Sequence, residues 1–157
     1  LDLGSGPGRD SLFFRERGMR PLCFDISHEM VSLCKQKGLE AREGDLENPD
    51  IEDASFDGVW AYTSLLHMPK KNLPSALRHV ARILKPNGVF YIGMKEGVFE
   101  GWLDSEKYGN ARRFFSLYSD SELREQLQVC FSIIHASRVF LGDAIFLNYL
   151  CKPRLSA

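Results

Sequence analysis

Short apolar runs alternate along the chain with longer segments in which apolar residues recur every three or four positions. Runs of the first kind predict buried strands, and segments of the second kind predict helices that bury one face. We predict strands at 21–26, 39–43, 56–62 and 89–94, and helices at 9–17, 27–38 and from 73 to the Pro86-Asn87-Gly88 stop. This alternation is typical of a parallel sheet with helices on both faces.

The C-terminal part of the chain departs from the alternation. Residues 95–118 are rich in glycine, charged and aromatic residues, and we expect an irregular insert, with 97–118 as a lid on the substrate side. Residues 119–122 form a capping-box pattern that starts another helix. Strands at 132–141 and 144–151 flank Gly142-Asp143, a pair suited to a hairpin turn. The later strand is the more uniformly apolar, so we predict it inside the sheet and its partner at the edge.

The first eight residues, LDLGSGPG, join a strand end to a glycine loop. Glycines at 4, 6 and 8 permit backbone angles closed to other residues, so the loop backbone can come into contact with a ligand. A strand, a glycine loop and a helix are the parts of a nucleotide-binding α/β unit. Because the chain opens within this strand, we also expect further residues upstream of Leu1.

Composition narrows the class of protein. A length of 157 residues suits one domain, 1–157, with its own core. The net charge of −1 argues against a nucleic-acid partner. The four cysteines are scattered without a CxxC pair, which predicts reduced thiols, no metal site and a cytoplasmic protein. No apolar run reaches membrane-spanning length.

Further polar residues fall where predicted strands end, and the carboxyl ends of parallel strands share one edge of the sheet. Asp25 lies 17 residues after Gly8, a spacing that suits a carboxylate accepting hydrogen bonds from both ribose hydroxyls. Asp45 and the segment 62–67 should reach the same edge. A dinucleotide fingerprint, G-x-G-x-x-G, would need glycine at position 9, which is Arg9.

The observed G-x-G-x-G, with an acid two residues before it, resembles motif I of class I S-adenosylmethionine-dependent methyltransferases. FDIS, GDL, FDGVWAYTSLLH and LKPNGVFYI resemble later segments of the same family, so that the resemblance covers residues 1 to about 97. It implies an α/β fold: a Rossmann-like, mostly parallel seven-stranded sheet with helices on both faces and a C-terminal antiparallel β-hairpin. It also implies S-adenosyl-L-methionine as cofactor and, before motif I, one or more helices that help cover it.

The resemblance assigns cofactor contacts to Asp2, Gly4, Gly6, Asp25, Ile26, Asp45, Leu46 and Tyr62. The two glycines are expected against the methionine and ribose part, Asp2 at its amino group and the Tyr62 backbone nearby. Asp25 is expected on the ribose and Ile26 on the adenine ring. Asp45, in the 44–46 turn, is expected to accept from the adenine amine. Each aspartate also has a purely structural alternative: Asp25 could do no more than cap the next helix, and Asp45 could be an ordinary turn residue.

The sequence defines the residues that would bind or deprotonate the methyl acceptor less closely than the cofactor contacts. A general base is needed only if the acceptor must lose a proton early, and the candidates are His67 and Glu96, with Tyr108 or Tyr118 in the insert. Tyr108, Arg112 and Arg113 are candidates for binding the acceptor, the arginines for an anionic one. Against these readings, a loop histidine often only bonds the backbone, and such arginines are more often solvated.

The sequence thus predicts methyl transfer to O, N or S of a small molecule. Two alternatives are an NAD-binding oxidoreductase and a non-catalytic methyltransferase-like scaffold for protein contacts. Arg9, in place of the third glycine of the dinucleotide fingerprint, and the C-terminal hairpin both argue against the NAD-binding oxidoreductase. An exposed apolar patch beside the start of the chain would favour a homodimer.

Overall fold

The structure, a computed structural model, describes residues 1–105 and 111–154. Its helices are α1 (Arg9–Glu16), α2 (His28–Gln36), α3 (Leu73–Ile83) and α4 (Asp120–Cys130). Its strands are β1 (Asp2–Leu3), β2 (Leu22–Asp25), β3 (Glu40–Glu43), β4 (Phe56–Tyr62), β5 (Leu84–Lys95), β6 (Glu100–Ser105), β7 (Ala111–Ser116), β8 (Phe131–Leu141) and β9 (Ala144–Pro153). Two short 3₁₀ helices, Leu65–His67 and Lys70–Asn72, precede α3.

Seven of these strands form one sheet in the order β3-β2-β1-β4-β5-β9-β8. The first five in that order run parallel, and β9 and β8 run antiparallel to their neighbours. The predicted fold class is confirmed, including β9 inside the sheet and β8 at its edge. The strand order reverses at β1, between β2 and β4, which is where ligands of such sheets bind.

The two faces of the sheet bury different sets of side chains, because neighbouring residues of a strand point to opposite faces. Phe24 belongs to the larger core, which also contains Leu77 of α3 and Leu127 of α4. The neighbouring Cys23 belongs to a small core with Cys34 of α2 and Leu39. The helices therefore cover both faces, as predicted.

Local signals in the sequence place several element ends. The Ser27 hydroxyl accepts from the Met30 N–H at 3.4 Å and so caps α2. The Ser119 hydroxyl accepts from the Glu122 N–H at 3.2 Å at the start of α4. Gly142 adopts a φ of +57° in the turn between β8 and β9. These predicted caps and turns are confirmed.

The prediction of an irregular insert was wrong, because β6 and β7 pair into an antiparallel hairpin. Trp102 packs edge-on against Phe114 across the pair, with ring centroids 5.5 Å apart. Asp104 lies 3.4 Å from Arg112 on the same face. Such cross-strand pairs stabilise a two-stranded sheet, and they exist only once the register is set.

In the described part of the chain, no helix combines the length and the apolar character needed to cross a membrane.

Candidate cofactor and active site

The glycine loop connects β1 to α1 at the carboxyl edge of the sheet. Gly4, Gly6 and Gly8 have φ values of +76°, +52° and +78°, as predicted for a loop that needs glycine. A Cβ on Gly6 would meet no atom within 4 Å, so the backbone there is open to a ligand. A Cβ on Gly4 would lie 2.2 Å from the Cβ of Ser64, so Gly4 also makes room for the segment after β4.

Asp25 ends β2 and holds the glycine loop in place. Its Oδ2 accepts from the Gly6 N–H at 2.8 Å, and its Oδ1 accepts from the Ser27 N–H at 2.9 Å. An ionised carboxylate offers about four lone-pair positions, so each oxygen keeps capacity for one more donor. The side chain thus anchors the loop and the start of α2 while remaining half-buried at the site.

Asp2 is enclosed beneath the loop rather than open at its rim. Only 4% of the residue is exposed, and its Oδ2 accepts from the Ser11 hydroxyl at 2.7 Å. Burial raises the pKa of this carboxyl to about 6, and the Ser11 hydrogen bond opposes the rise. Asp2 therefore ties β1 to α1, a connection that the sequence did not predict.

The predicted adenine side is formed by segments after β2 and β3. Ile26 is 65% exposed, which leaves an apolar surface beside Asp25. The Oδ1 of Asp45 accepts from the Glu47 N–H at 2.8 Å. This bond is the structural role in a turn that the sequence analysis gave as the alternative to adenine binding. Leu46 lies near the glycine loop, with its Cδ1 3.5 Å from the position of a Cβ on Gly4.

Tyr62 ends β4, and its ring lies over β5. A Cβ on Gly93 would lie 2.3 Å from Cδ2 of this ring, so glycine at 93 lets the ring lie flat. Thr63 then turns the chain with a φ of +55°, which is unusual for a β-branched residue, and its N–H donates to the Gly93 carbonyl at 2.8 Å. This turn brings Ser64 against the glycine loop.

His67 ends the 3₁₀ turn that begins after Ser64, and it packs against β7. Its Nδ1 lies 2.9 Å from the Phe114 carbonyl oxygen, so the proton of the neutral ring is on Nδ1 and Nε2 is an acceptor. The Phe115 ring packs edge-on at 4.7 Å. Burial lowers the pKa of His67, and the Arg113 charge adds to that, although the bond to Phe114 opposes it.

The other acceptor-side candidates have different surroundings, and the backbone of Glu96 forms an isolated bridge with that of Tyr118. Glu96 forms an ion pair through Oε1 with Arg138, while its Oε2 is buried without a partner among the described residues. Arg112 is exposed beside Asp104. Arg113 is exposed on β7, close enough for its charge to act on His67. Tyr108 lies outside the described residues.

The family model described as "Methyltransferase domain" matches residues 1–92, more than half of the chain. The chain belongs to the methyltransferase domain family. That assignment confirms the resemblance to class I S-adenosylmethionine-dependent methyltransferases and favours it over the NAD-binding alternative.

Individual proteins similar to this methyltransferase domain come from several organisms. The malonyl-[acyl-carrier protein] O-methyltransferase of Serratia marcescens is 30% identical over 120 residues, which is 71% of this chain and 46% of that protein. The chain thus spans less than half the length of this curated relative.

Two solved structures share the fold. The S-adenosylmethionine-dependent methyltransferase of Methanosarcina mazei superposes with a TM-score of 0.89 at 18% identity, over 99% of this chain and 92% of that one. The 1,6-didemethyltoxoflavin-N1-methyltransferase of Burkholderia thailandensis was solved with bound 1,6-didemethyltoxoflavin and S-adenosylhomocysteine. It superposes with a TM-score of 0.78 at 24% identity, over 98% of this chain and 69% of that one.

Ser11 was not predicted from the sequence as part of the site, and Ser64 was predicted there only as a member of the segment 62–67. A serine after a strand or in a helix carries no local signal of a long-range contact. Both are placed by the sheet, which brings β4 beside β1 and α1 over it.

Proposed function

We propose that the protein transfers a methyl group from S-adenosyl-L-methionine to an O, N or S atom of a small-molecule acceptor. The observation that carries the proposal is the bond from the Gly6 N–H to Asp25, which joins the carboxyl ends of β1 and β2 beside the exposed Ile26. Family membership supports the same cofactor.

The residues present fit that cofactor. The open backbone at Gly6 suits close approach, and the spare lone pairs of Asp25 suit the two ribose hydroxyls. The exposed Ile26 suits the adenine ring, with Asp45 and Leu46 beside it. Gly4 and the Tyr62 backbone are proposed at the methionine end. Asp2 is proposed to act there indirectly, by fixing α1 and the loop through Ser11.

When bound, S-adenosylmethionine supplies a methyl group on a positively charged sulfur, which an acceptor lone pair displaces in line. The protein must therefore hold the acceptor in position and, for some acceptors, remove a proton. His67 is suited to that role, because its lowered pKa keeps it neutral and its Nε2 is free of the ring proton. Glu96 remains a second proposed base, although its charge is balanced by Arg138.

The acceptor-binding groups that we propose are Tyr108, Arg112 and Arg113. The two arginines are consecutive residues of β7 and therefore project from opposite faces of it, and Arg113 is the one whose charge acts on His67. A negatively charged or polar small molecule suits the side of β7 that carries Arg113. The S. marcescens relative, whose acceptor is a malonyl group on a carrier protein, makes a malonyl thioester the first compound to test.

We propose further that the protein is cytoplasmic and acts on neither membranes nor nucleic acid, in keeping with a net charge of −1. A homodimer is supported by the edge strand β8, on which Phe140 and Leu141 are 70% and 67% exposed. Sedimentation of the protein and of a Phe140→Lys/Leu141→Lys variant tests this. A wild-type mass of one chain contradicts the dimer.

The cofactor proposal is tested by calorimetry on the protein in its full natural length. We expect saturable binding of S-adenosylhomocysteine and none of NAD, and the reverse result overturns the proposal. Methyl transfer is then measured by mass spectrometry with a malonyl thioester, a phenol, a thiol and bulk tRNA as acceptors. Binding of the cofactor without any transfer to such acceptors would favour the scaffold alternative.

A further inference from the structure

Lys95 ends β5 with an ammonium group that has no counter-ion in the described part of the chain. The side chain is half-buried, and among the described residues it takes part in no ion pair and no hydrogen bond. Its acidic neighbour, Glu96, is paired with Arg138 instead. Because β5 lies inside the sheet, between β4 and β9, a charged side chain there is unusual. Lysines are mostly exposed unless they are paired, so this position needs a reason beyond packing.

Lys95 shares one face of the sheet with two aromatic rings. Successive residues of a strand point to opposite faces, and Ile92 and Met94 of β5 belong to the larger core. Lys95 therefore points to the other face, as does Phe146, its direct partner on β9. The rings of Phe146 and Tyr62 lie 6.3 Å apart on that face. The ammonium group thus stands beside an aromatic surface.

This group of side chains lies at the carboxyl edge of the sheet, beside the proposed methionine end of the cofactor. Tyr62 ends β4 and pairs with Gly93, so β5 runs two residues past it to Lys95. The strand order places β5 and β9 on the far side of β4 from β2, whose end carries Asp25. The cation and the two rings are therefore separated from the proposed ribose and adenine contacts and stand in the region left for the acceptor.

We propose that Lys95 binds the methyl acceptor and that this acceptor carries a carboxylate. The ammonium group donates charge-assisted hydrogen bonds to the carboxylate oxygens, and the carbon part of the acceptor packs on the rings of Tyr62 and Phe146. The proposal rests on the proposed function, since it needs the same methyl donor in the same site. It adds to that function the chemical class of the acceptor and a binding residue outside β7.

A carboxylate is also a complete methyl acceptor. One of its oxygens displaces the sulfur, so that an O–CH₃ bond forms while the S–CH₃ bond breaks and its electron pair stays on sulfur. The products are a neutral methyl ester and S-adenosylhomocysteine. No proton has to be removed, because a carboxylate is ionised at neutral pH. The ester has lost the charge that Lys95 attracts, which favours its release.

The test compares two thioesters of N-acetylcysteamine by calorimetry, in the full-length protein saturated with S-adenosylhomocysteine. One carries a malonyl group with its free carboxylate, and the other carries the methyl ester of that group, which is the proposed product. We expect the wild type to bind the malonyl thioester roughly tenfold or more tightly than the ester. Lys95→Gln should bind the two alike, because only the charged contact is lost, and Lys95→Arg should keep most of the difference.

Lys85→Gln is the matched control. Lys85 lies on the same strand near the opposite edge of the sheet, and its Nζ is 2.8 Å from a carboxylate oxygen of Asp57. Its replacement should leave the affinities for both thioesters unchanged. In kinetic assays with S-adenosylmethionine, Lys95→Gln should raise the KM for the malonyl thioester roughly tenfold or more and change kcat little, because the contact weakens as the acceptor becomes neutral.

Three binding results overturn the proposal: wild-type protein that binds both thioesters equally or binds neither, a Lys95→Gln variant that keeps the wild-type difference, or loss of that difference in Arg113→Gln alone. The first needs only the wild type, so it applies even where a variant fails to fold. Methyl transfer to a phenol or a thiol but to no carboxylate also contradicts the proposal. Wild-type protein that binds no S-adenosylhomocysteine would instead contradict the proposed function itself.

Discussion

The Gly6 N–H donates a 2.8 Å hydrogen bond to the carboxylate of Asp25, which lies 19 residues further along the chain. The bond fastens the open part of the glycine loop to the end of the neighbouring strand. Asp25 uses its other oxygen for the Ser27 N–H at the start of α2. One side chain therefore positions both segments that flank the proposed ribose site.

Replacing Asp25 should affect binding and folding together. In Asp25→Ala the affinity for S-adenosylhomocysteine should fall by roughly 1.5–3 kcal/mol, because two charge-assisted bonds to the ribose are lost. The free energy of unfolding should also fall, by about 1–3 kcal/mol, because two backbone N–H groups lose their acceptor. Calorimetry and urea denaturation measure the two effects. An unchanged affinity would remove Asp25 from the site.

Gly4 should tolerate alanine poorly for two separate reasons. Its φ of +76° disfavours any other residue by roughly 1–2 kcal/mol, and the new Cβ would meet Ser64 at 2.2 Å. Gly18 has a φ of +80° but no atom within 4 Å of a Cβ, so Gly18→Ala carries the backbone cost alone. Urea denaturation should show a larger loss for Gly4→Ala than for Gly18→Ala. Equal losses would mean that the Ser64 contact relaxes freely.

How much of this site the sequence predicts depends on the range of the interactions. The end of β4 at Tyr62 and the place of Asp25 follow from local apolar patterns and from spacing along the chain. The positive φ of Thr63 does not, because threonine disfavours that conformation and only the tertiary fold holds it there. The contact of Ser64 with Gly4 joins residues 60 positions apart, and no local pattern encodes it.

The same distinction separates the fold predictions. The order of β9 and β8 follows from their apolar content, since a strand inside the sheet is buried on both faces. The β6–β7 hairpin depends instead on pairs such as Trp102 with Phe114, which meet only in one register. The glycine, charged and aromatic residues of each strand, considered without its partner, do not predict a strand.

Gly93 should be needed for the position of the Tyr62 ring. In Gly93→Ala the new Cβ would lie 2.3 Å from Cδ2 of that ring, which must then move off β5. We expect a loss of about 1–3 kcal/mol in unfolding free energy and weaker binding of S-adenosylhomocysteine. Gly58→Ala is the control, because its Cβ would find Val89 at an ordinary 3.7 Å. A stable Gly93→Ala variant with unchanged binding would show that the ring position does not matter.

His67 should make stability depend on pH in a defined direction. Burial lowers its folded-state pKa below the ordinary 6.5, so the unfolded chain binds the proton more readily than the folded protein. The contribution of His67 to the free energy of unfolding should therefore rise with pH through the window from the folded pKa up to 6.5 and level off above it. Asp2, whose pKa burial raises to about 6, contributes a slope of the opposite sign as the pH rises towards 6, so the contribution of His67 is the difference between the wild type and a variant that lacks it. His67→Gln should flatten that rise, as measured by urea denaturation from about pH 5 to about pH 7. A slope unchanged by the substitution would mean that other groups cause it. An NMR titration of the His67 ring gives the pKa directly, and a value above 6.5 would contradict both the burial argument and the proposal of a neutral base at pH 7.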